Sequence, residues 1–143
     1  MAERIVSVAR FIPAPPEKIF DLLASPEGHL AIDGSGSLVS LKENPVRLSL
    51  GSTFAMKMKI GVPYTVTNTV SVFEEDRAIA WHHGAGFEWR YDLEPIDGGT
   101  QVTESFDYSK PMGALLGWTG MPTRNKKAMA ATLEKIEALV AEA

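Results

Sequence analysis

The C-terminal stretch, residues 122–142, constrains the fold more than any other part of the chain. Its apolar side chains recur at intervals of four, three and four residues, which places them on one stripe of an α-helix. That stripe consists of Met129, Leu133, Ile136 and Val140. Pro122 suits a first helical turn. Because a long helix with one apolar face needs an apolar partner of similar length, residues 122–142 are predicted to pack along the rest of the chain.

Upstream, seven segments alternate apolar and polar side chains, which is the pattern of β-strands with one buried face. The predicted strands cover about residues 5–12, 38–41, 53–60, 64–72, 79–83, 87–93 and 102–108. Two short helices, one opening at Pro16 and one near residues 27–31, are predicted between the first two strands. The prediction is an α+β fold in which a seven-stranded antiparallel meander precedes the long helix.

This predicted sheet is much wider than the helix that must cover it. Seven strands spaced by about 4.8 Å are roughly three times as wide as a helix of about 10 Å. We therefore expect the sheet to curl around the helix, with bends at the strand-end glycines Gly51, Gly61, Gly84 and Gly86. Such a curl predicts a cavity between sheet and helix.

The face that alternation turns toward the helix carries polar groups among apolar ones. Tyr64, Val66, Asn68, Val70 and Val72 are assigned to it from the fourth strand. In the last strand, Glu104 alternates in phase with the apolar residues, and Tyr91 lies opposite or diagonal to it across the hairpin. Three interpretations are open: a bulge turns Glu104 outward, Tyr91 and Glu104 form a structural pair, or they orient a ligand.

Composition and charge exclude several classes of function. The 143 residues carry a formal charge of −4, unlike the basic surface of a nucleic-acid-binding protein. Cysteine is absent and there are three histidines, so neither thiolate chemistry nor a structural zinc site is expected. Arg4 and Arg10 interrupt the first apolar segment, so a signal peptide is not expected, and no apolar run reaches membrane-spanning length. These features predict a single cytoplasmic domain, residues 1–143, without membrane insertion.

The histidines and serines do not match a known catalytic motif. His82 and His83 are neighbours on a strand and point to opposite faces, so they cannot share one metal ion. His83 is predicted to face inward and His29 to lie at the surface. Neither a nucleophile elbow nor a phosphate-binding glycine loop is present. The candidate catalytic residues are therefore Glu104, His83 and Tyr91, and no metal or cofactor is predicted.

Several segments together resemble the START-like, or SRPBCC, superfamily, in its broad polyketide cyclase/dehydrase and lipid-transport group. They are residues 12–17, 33–36, 89–95, 98–104 and 132–134. The chain departs from the common pattern at Ile32, where related sequences often have tryptophan. The resemblance covers nearly the whole chain. It implies the helix-grip fold of the major birch pollen allergen and a hydrophobic cavity whose ligand varies from lipids to hormones to polyketides.

The resulting hypothesis is a protein that binds a hydrophobic or amphipathic small molecule, such as a lipid, polyketide or aromatic metabolite, between sheet and helix. The predicted ligand-binding residues are Met56, Met58, Asn68, Trp81, His83, Trp89, Tyr91, Glu104, Phe106, Tyr108, Met129 and Leu133. The alternative is an enzyme like the polyketide cyclases and aromatases, in which Glu104 or His83 moves protons. A binding protein is favoured over an enzyme.

Two other surfaces have open interpretations. The basic residues Lys110, Arg124, Lys126 and Lys127 either meet an anionic ligand group or form a solvated face. The apolar segment 111–118 is either a lid over the cavity or a contact with a protein partner. A monomer or weak homodimer is expected, with a small hydrophobic ligand as partner and no nucleic acid.

Overall fold

The computed structural model describes residues 5–32, 38–41, 47–60, 62–83, 87–108 and 121–141. These residues form seven strands and three helices: β1 Ile5–Ile12, α1 Pro16–Leu23, α2 Pro26–Ile32, β2 Leu38–Leu41, β3 Thr53–Ile60, β4 Val62–Glu74, β5 Ala78–His83, β6 Phe87–Ile96, β7 Gly99–Asp107 and α3 Met121–Ala141. The α+β class, the antiparallel sheet and the long C-terminal helix are confirmed. The predicted loop at residues 33–36, the segment 111–118 and Gly61, Gly84 and Gly86 lie outside the described residues.

The strands form one antiparallel sheet in the order β1-β7-β6-β5-β4-β3-β2. The chain starts at one edge with β1 and passes through α1 and α2 to β2 at the other edge. From there β3 to β7 return strand by strand until β7 pairs with β1. None of the helices within the described ranges is long and apolar enough to cross a membrane.

The hydrophobic core lies between one face of the sheet and the helices. The α3 helix packs against β1 and β7 and also against α1 and α2. Its predicted apolar stripe, Met129, Leu133, Ile136 and Val140, is buried, which confirms the assigned helix face. At the β1 edge, Nε of Arg10 donates a hydrogen bond to Oε1 of Glu137 on α3 over 2.8 Å. This ion pair connects the helix to the first strand.

The fourth strand departs from simple alternation. The sequence places Val72 in phase with Val70, but the pairing of β4 with β5 shifts register between these two residues. A bulge adds one residue to a strand and so reverses the faces of the residues that follow. Phe73 pairs with the buried core residue Ile79, and its ring meets the Phe20 ring edge-on at 5.3 Å. The assignment of Val72 to the inner face is therefore wrong, and Phe73 takes that place.

The loop between β6 and β7 fixes the register of this hairpin. Asp97 and Gly98 form a two-residue loop, so Ile96 pairs with Gly99. Gly98 has a φ of +84°, a conformation that glycine adopts without steric cost. A Cβ atom on Gly99 would lie 2.3 Å from the carbonyl oxygen of Ile12. The end of β1 can therefore approach β7 only because residue 99 has no side chain.

We expect Gly99→Ala to destabilise the protein by about 1–3 kcal/mol, because the added methyl group overpacks the junction of β1 and β7. Urea unfolding measures this change. Gly51→Asn is the matched control: Gly51 has a φ of +83° with nothing within 4 Å of a built Cβ, and asparagine tolerates this conformation. An unfolding free energy of Gly99→Ala equal to that of the wild type would show that the close approach is not a constraint.

Candidate functional site

Strands β6 and β7 place Tyr91 and Glu104 directly opposite each other. The two-residue loop decides between the two registers that the sequence left open. On its other side, Glu104 pairs with Val8 of β1. Glu104 is 3% exposed and Tyr91 is 4% exposed. The carboxyl group thus lies on the covered face of the sheet, with a paired strand on either side.

Glu104 keeps the alternation of its strand. Thr100, Val102 and Phe106 are buried with it, and neither the β1–β7 nor the β6–β7 pairing shifts register. The interpretation that a bulge turns Glu104 outward is therefore wrong. The side chain interacts within the protein, while its Oε1 atom is buried without a hydrogen bond among the described residues. A buried carboxyl group in such surroundings is costly for a protein to maintain.

Four aromatic rings, here called the aromatic cluster, lie on the same face at one end of β6 and β7. The cluster consists of Phe87, Trp89, Phe106 and Tyr108. The ring centroids of Trp89 and Phe106 are 4.4 Å apart, and those of Phe87 and Tyr108 lie 5.4 Å and 5.8 Å from that of Phe106. Phe106 is buried, whereas the other three are only half-buried. This end of the inner face therefore presents aromatic surface that the described residues do not fully cover.

A second line of rings connects Tyr91 to helix α2. The Trp81 ring lies 5.7 Å from the Tyr91 ring and stacks on the His29 ring at 4.6 Å. Nε2 of His29 donates a hydrogen bond to the carbonyl oxygen of Leu23 over 2.7 Å, since a carbonyl can only accept. The expected surface position of His29 is wrong, because α2 packs this residue against β5 and the end of α1.

Burial changes the protonation of His29. Removal from water lowers the pKa of this imidazole to about 4, although the hydrogen bond to Leu23 acts in the opposite direction. His29 is therefore neutral near pH 7. The neutral imidazole stacks on the Trp81 ring and so supports the packing of Trp81 against Tyr91.

The remaining predicted binding residues are spread across the sheet and α3. Met129 and Leu133 are buried on the face of α3 that packs on the sheet. Asn68 is also buried, but β4 lies three strand positions from β7. At about 4.8 Å per strand, β4 and β7 lie roughly 14 Å apart across the sheet. The register also places Asn68 level with Tyr108, further along β7 from Glu104. A small polar group cannot contact both, so the structure does not bring these two residues together.

Three predicted binding residues can be placed by strand position only. Met56 and Met58 lie on β3, paired with Val66 and Tyr64, and His83 pairs with Phe87 at the end of β5. The side chains of Met56, Met58 and His83 lie outside the described part of the structure. Their assignment to the ligand-binding site remains a prediction.

The basic group near the start of α3 is only partly described. Lys126 and Lys127 are exposed on α3. Lys110 and the side chain of Arg124 lie outside the described residues. Among the residues that are described, no three His, Asp or Glu side chains are positioned to hold a metal ion.

Two buried threonines were not predicted as part of the site. Thr132 is 7% exposed on α3, one position before Leu133 and three after Met129. The hydroxyl group of Thr100 donates a hydrogen bond to the carbonyl oxygen of Ala14 over 2.8 Å. The sequence offers a signal for Thr132, a polar residue next to the apolar stripe of α3. It offers none for Thr100, because its partner Ala14 is distant in sequence.

Comparison with known proteins gives a family match over almost the whole chain. The model of the family described as polyketide cyclase / dehydrase and lipid transport matches residues 3–141. An uncharacterised protein of Mycobacterium tuberculosis, Rv0088, is 33% identical over 132 residues, which cover 87% of this chain and 59% of that protein. The chain therefore spans about three-fifths of the length of the curated relatives that it matches.

Solved structures of low sequence identity share the fold. Protein Ms6760 of Mycobacterium smegmatis has a TM-score of 0.74 and 17% identity, with 98% of this chain and 92% of that chain covered. The Polyketide_cyc-like protein Cgl2372 of Corynebacterium glutamicum has a TM-score of 0.58 and 20% identity, with coverages of 98% and 89%. At these identities the comparison concerns the fold alone.

The His29 geometry predicts how stability depends on pH. The folded protein binds this proton with a pKa of about 4 and the unfolded chain with 6.5, so the unfolded state gains protons first. Stability should be fully present above pH 6.5 and fall by about 3 kcal/mol as the pH drops to 4. Urea unfolding between pH 7 and pH 4 measures this loss.

A matched pair of variants assigns the pH effect to one residue. His29→Gln should flatten the stability profile between pH 6.5 and 4. His82→Gln, on the opposite face from Trp81 of the same strand and paired with Glu88, should leave the slope unchanged. An equal slope in His29→Gln and the wild type would assign the acid sensitivity to other groups.

Proposed function

The chain belongs to the polyketide cyclase/dehydrase and lipid transport family, and from this premise we propose that it binds a hydrophobic or amphipathic small molecule between its sheet and α3. The observation that carries the proposal is the pairing of buried Glu104 and Tyr91 beside the half-buried aromatic cluster. Ligand pockets typically combine an apolar lining with a few polar groups. Family membership supports the general class of function, and the arrangement of these residues supports this region of the sheet as the proposed site.

The proposed cavity follows from the unequal widths of sheet and helix. Seven strands span about 29 Å between the outer strand axes, whereas α3 covers about 10 Å. In this proposal the sheet curves around α3 as in a helix-grip fold. The α1 and α2 helices fill one end of the covered face, where Ile12, Leu93 and Val102 join the core with Ile19 and Phe20, so the cavity opens toward the aromatic cluster.

Each part of the proposed site has a distinct role. The aromatic cluster, together with Trp81 and Met129, would provide apolar contact. Glu104 and Tyr91 would orient the polar end of the ligand, because they are the inward polar pair next to Phe106. Asn68, three strands across the sheet from Glu104, would meet a different part of a long ligand.

A second candidate function is an enzyme like the polyketide cyclases. The specific observation that favours it is the direct opposition of a carboxyl group and a phenol, Glu104 and Tyr91, on a buried face. Two such groups are able to move a proton to and from a carbonyl compound held beside them. His83 pairs with Phe87, whereas Tyr91 pairs with Ile79 of the same strand. In this candidate His83 would therefore be an alternative base that acts at the aromatic cluster, away from Glu104 and Tyr91.

The binding proposal predicts that a neutral fluorescent probe, N-phenyl-1-naphthylamine, is taken up by delipidated protein. Met129→Trp should weaken uptake at least about tenfold by filling the space beneath α3. Leu139→Trp adds the same ring on the same helix at a position that is 37% exposed, and should change the affinity less than about twofold. Fluorescence titration gives the dissociation constants, and circular dichroism checks the fold of each variant.

Absence of probe uptake by the wild type would end the binding proposal. Equal affinities for the wild type and folded Met129→Trp would show that the probe does not bind beneath α3.

The enzyme candidate predicts that wild-type protein changes the products formed from a synthetic poly-β-ketone thioester, which also cyclises spontaneously. Glu104→Gln should slow formation of the directed product at least about a hundredfold and still bind N-phenyl-1-naphthylamine. Liquid chromatography of the products measures this effect. If wild-type protein and buffer give the same products, the chain is not a cyclase for this substrate class, and the binding proposal is unaffected.

A further inference from the structure

We infer that the edge of strand β1 is a contact surface for a second copy of this chain, whose own β1 adds to the sheet in antiparallel orientation. The inference does not depend on the proposed ligand. Three features carry it: the length and regularity of this edge, the side chains on its outer face, and the way in which these side chains match each other about a two-fold axis.

The two edges of the sheet differ in length and regularity. Among the strands that the structure describes, β1 pairs with β7 alone and β2 pairs with β3 alone. The β2 edge is four residues long and shifts register between Leu38 and Ser40, and short or irregular edges resist pairing with another chain. In contrast, β1 is eight residues long and pairs with β7 without a register shift. The side of β1 that faces away from β7 is therefore a regular template for a further strand.

The outer face of β1 lacks the charges that commonly protect an exposed edge. Its side chains, here called the outer row, are all exposed, and the two large ones are 44% and 42% exposed. The outer row consists of Ile5, Ser7, Ala9 and Phe11. Arg10, the one charged residue of the strand, lies on the inner face, where its Nε donates to Oε1 of Glu137 over 2.8 Å. No charge on the outer row therefore opposes the approach of another apolar strand.

The inner face of β1 is only partly covered by α3. Val6 and Val8 are half-buried, whereas Val102 and Phe106 on the neighbouring strand β7 are buried. The side chain of Arg10 remains 40% exposed although it reaches α3. The cover that α3 provides therefore decreases from β7 to β1, which leaves the edge of the sheet accessible from this face as well.

The outer row is symmetric in size, because its large apolar residues lie at the two ends and its small residues lie between them. An antiparallel pairing about a two-fold axis at Val8 places Ile5 opposite Phe11 of the second copy, and Ser7 opposite Ala9 of the second copy. Each of these pairs occurs twice, so the exposed large side chains cover one another. A shift by one residue would set the outer row of one copy beside the inner face of the other. The exposed residues of β1 thus favour a second copy as the partner and define its register.

Sedimentation velocity over a range of protein concentrations tests the contact. An interface built on one strand belongs at the low end of interface sizes, below about 1,200 Å², so the wild type should be half dimeric on the order of 0.1 mM. Ala9→Lys should raise the dissociation constant at least about tenfold, because it brings two like charges close to the axis. Thr103→Lys is the matched control, since Thr103 pairs with Ala9 on the same face but one strand inside the edge. It should change the dissociation constant less than about threefold.

Single cysteines test the register, because the natural chain contains none. In Val8→Cys, the two thiols are directly opposite, with Cα atoms about 4.5 or 5.5 Å apart, a distance that a disulfide spans. In Val6→Cys, which changes the same residue type on the same half-buried face, the two thiols are four residues, or roughly 13 Å, apart along the strands. Mild oxidation should therefore cross-link Val8→Cys at least about tenfold faster than Val6→Cys. Non-reducing gel electrophoresis measures both rates.

Each outcome supports or overturns the inference. A wild type that stays monomeric up to about 1 mM would show that the edge of β1 does not bind a second copy. A dimer that folded Ala9→Lys leaves intact would place the interface elsewhere, and equal cross-linking of the two cysteine variants would exclude this register. If Val8→Cys does not fold, the comparison of Ala9→Lys with Thr103→Lys decides the question. All of these outcomes leave the proposed ligand binding unaffected.

Discussion

The register of the β6–β7 hairpin is the constraint on which the proposed site depends. Side chains alternate across a sheet with a period of two, so a slip of one residue would send Glu104 to the opposite face. The two-residue loop at Asp97 and Gly98 prevents that slip, and Gly99 lets the end of β1 close against β7. The same short turn therefore positions an acid, a phenol and the first strand.

A buried carboxyl group costs free energy unless partners compensate it. The strand positions around Glu104 hold valine, tyrosine and phenylalanine, and an apolar residue there would complete an ordinary core. The ion pair of Arg10 and Glu137 contrasts with it, because both of its side chains remain partly exposed and reach water. In the proposed function, Glu104 rather than this partly exposed ion pair orients the ligand.

The two ends of the covered face have different characters. At one end, α1 and α2 bury aliphatic residues and the Phe20 ring against the sheet. At the other end, the aromatic cluster is only half-buried. His29 lies between these ends as a neutral residue stacked on Trp81. A line of contacting rings, from His29 through Trp81 to Tyr91, therefore joins the end packed by α1 and α2 to the proposed binding end. A change at His29 would reach Tyr91 through a single intervening side chain.

The sequence by itself determined the strands and the apolar stripe of α3, because these follow from local periods of 2 and 3.6 residues. Alternation indicated the inward position of Glu104, and the structure excluded the bulge that would have turned it outward. The sequence placed Tyr91 opposite or diagonal to Glu104, and the structure shows that the two residues are directly opposite. Only the tertiary structure decided the face of Phe73, the burial of His29 and the distance of Asn68 from the acid. Contacts between segments that are distant in sequence set the bulge in β4, the packing of α2 on β5 and the order of the strands. Local sequence patterns therefore do not predict them.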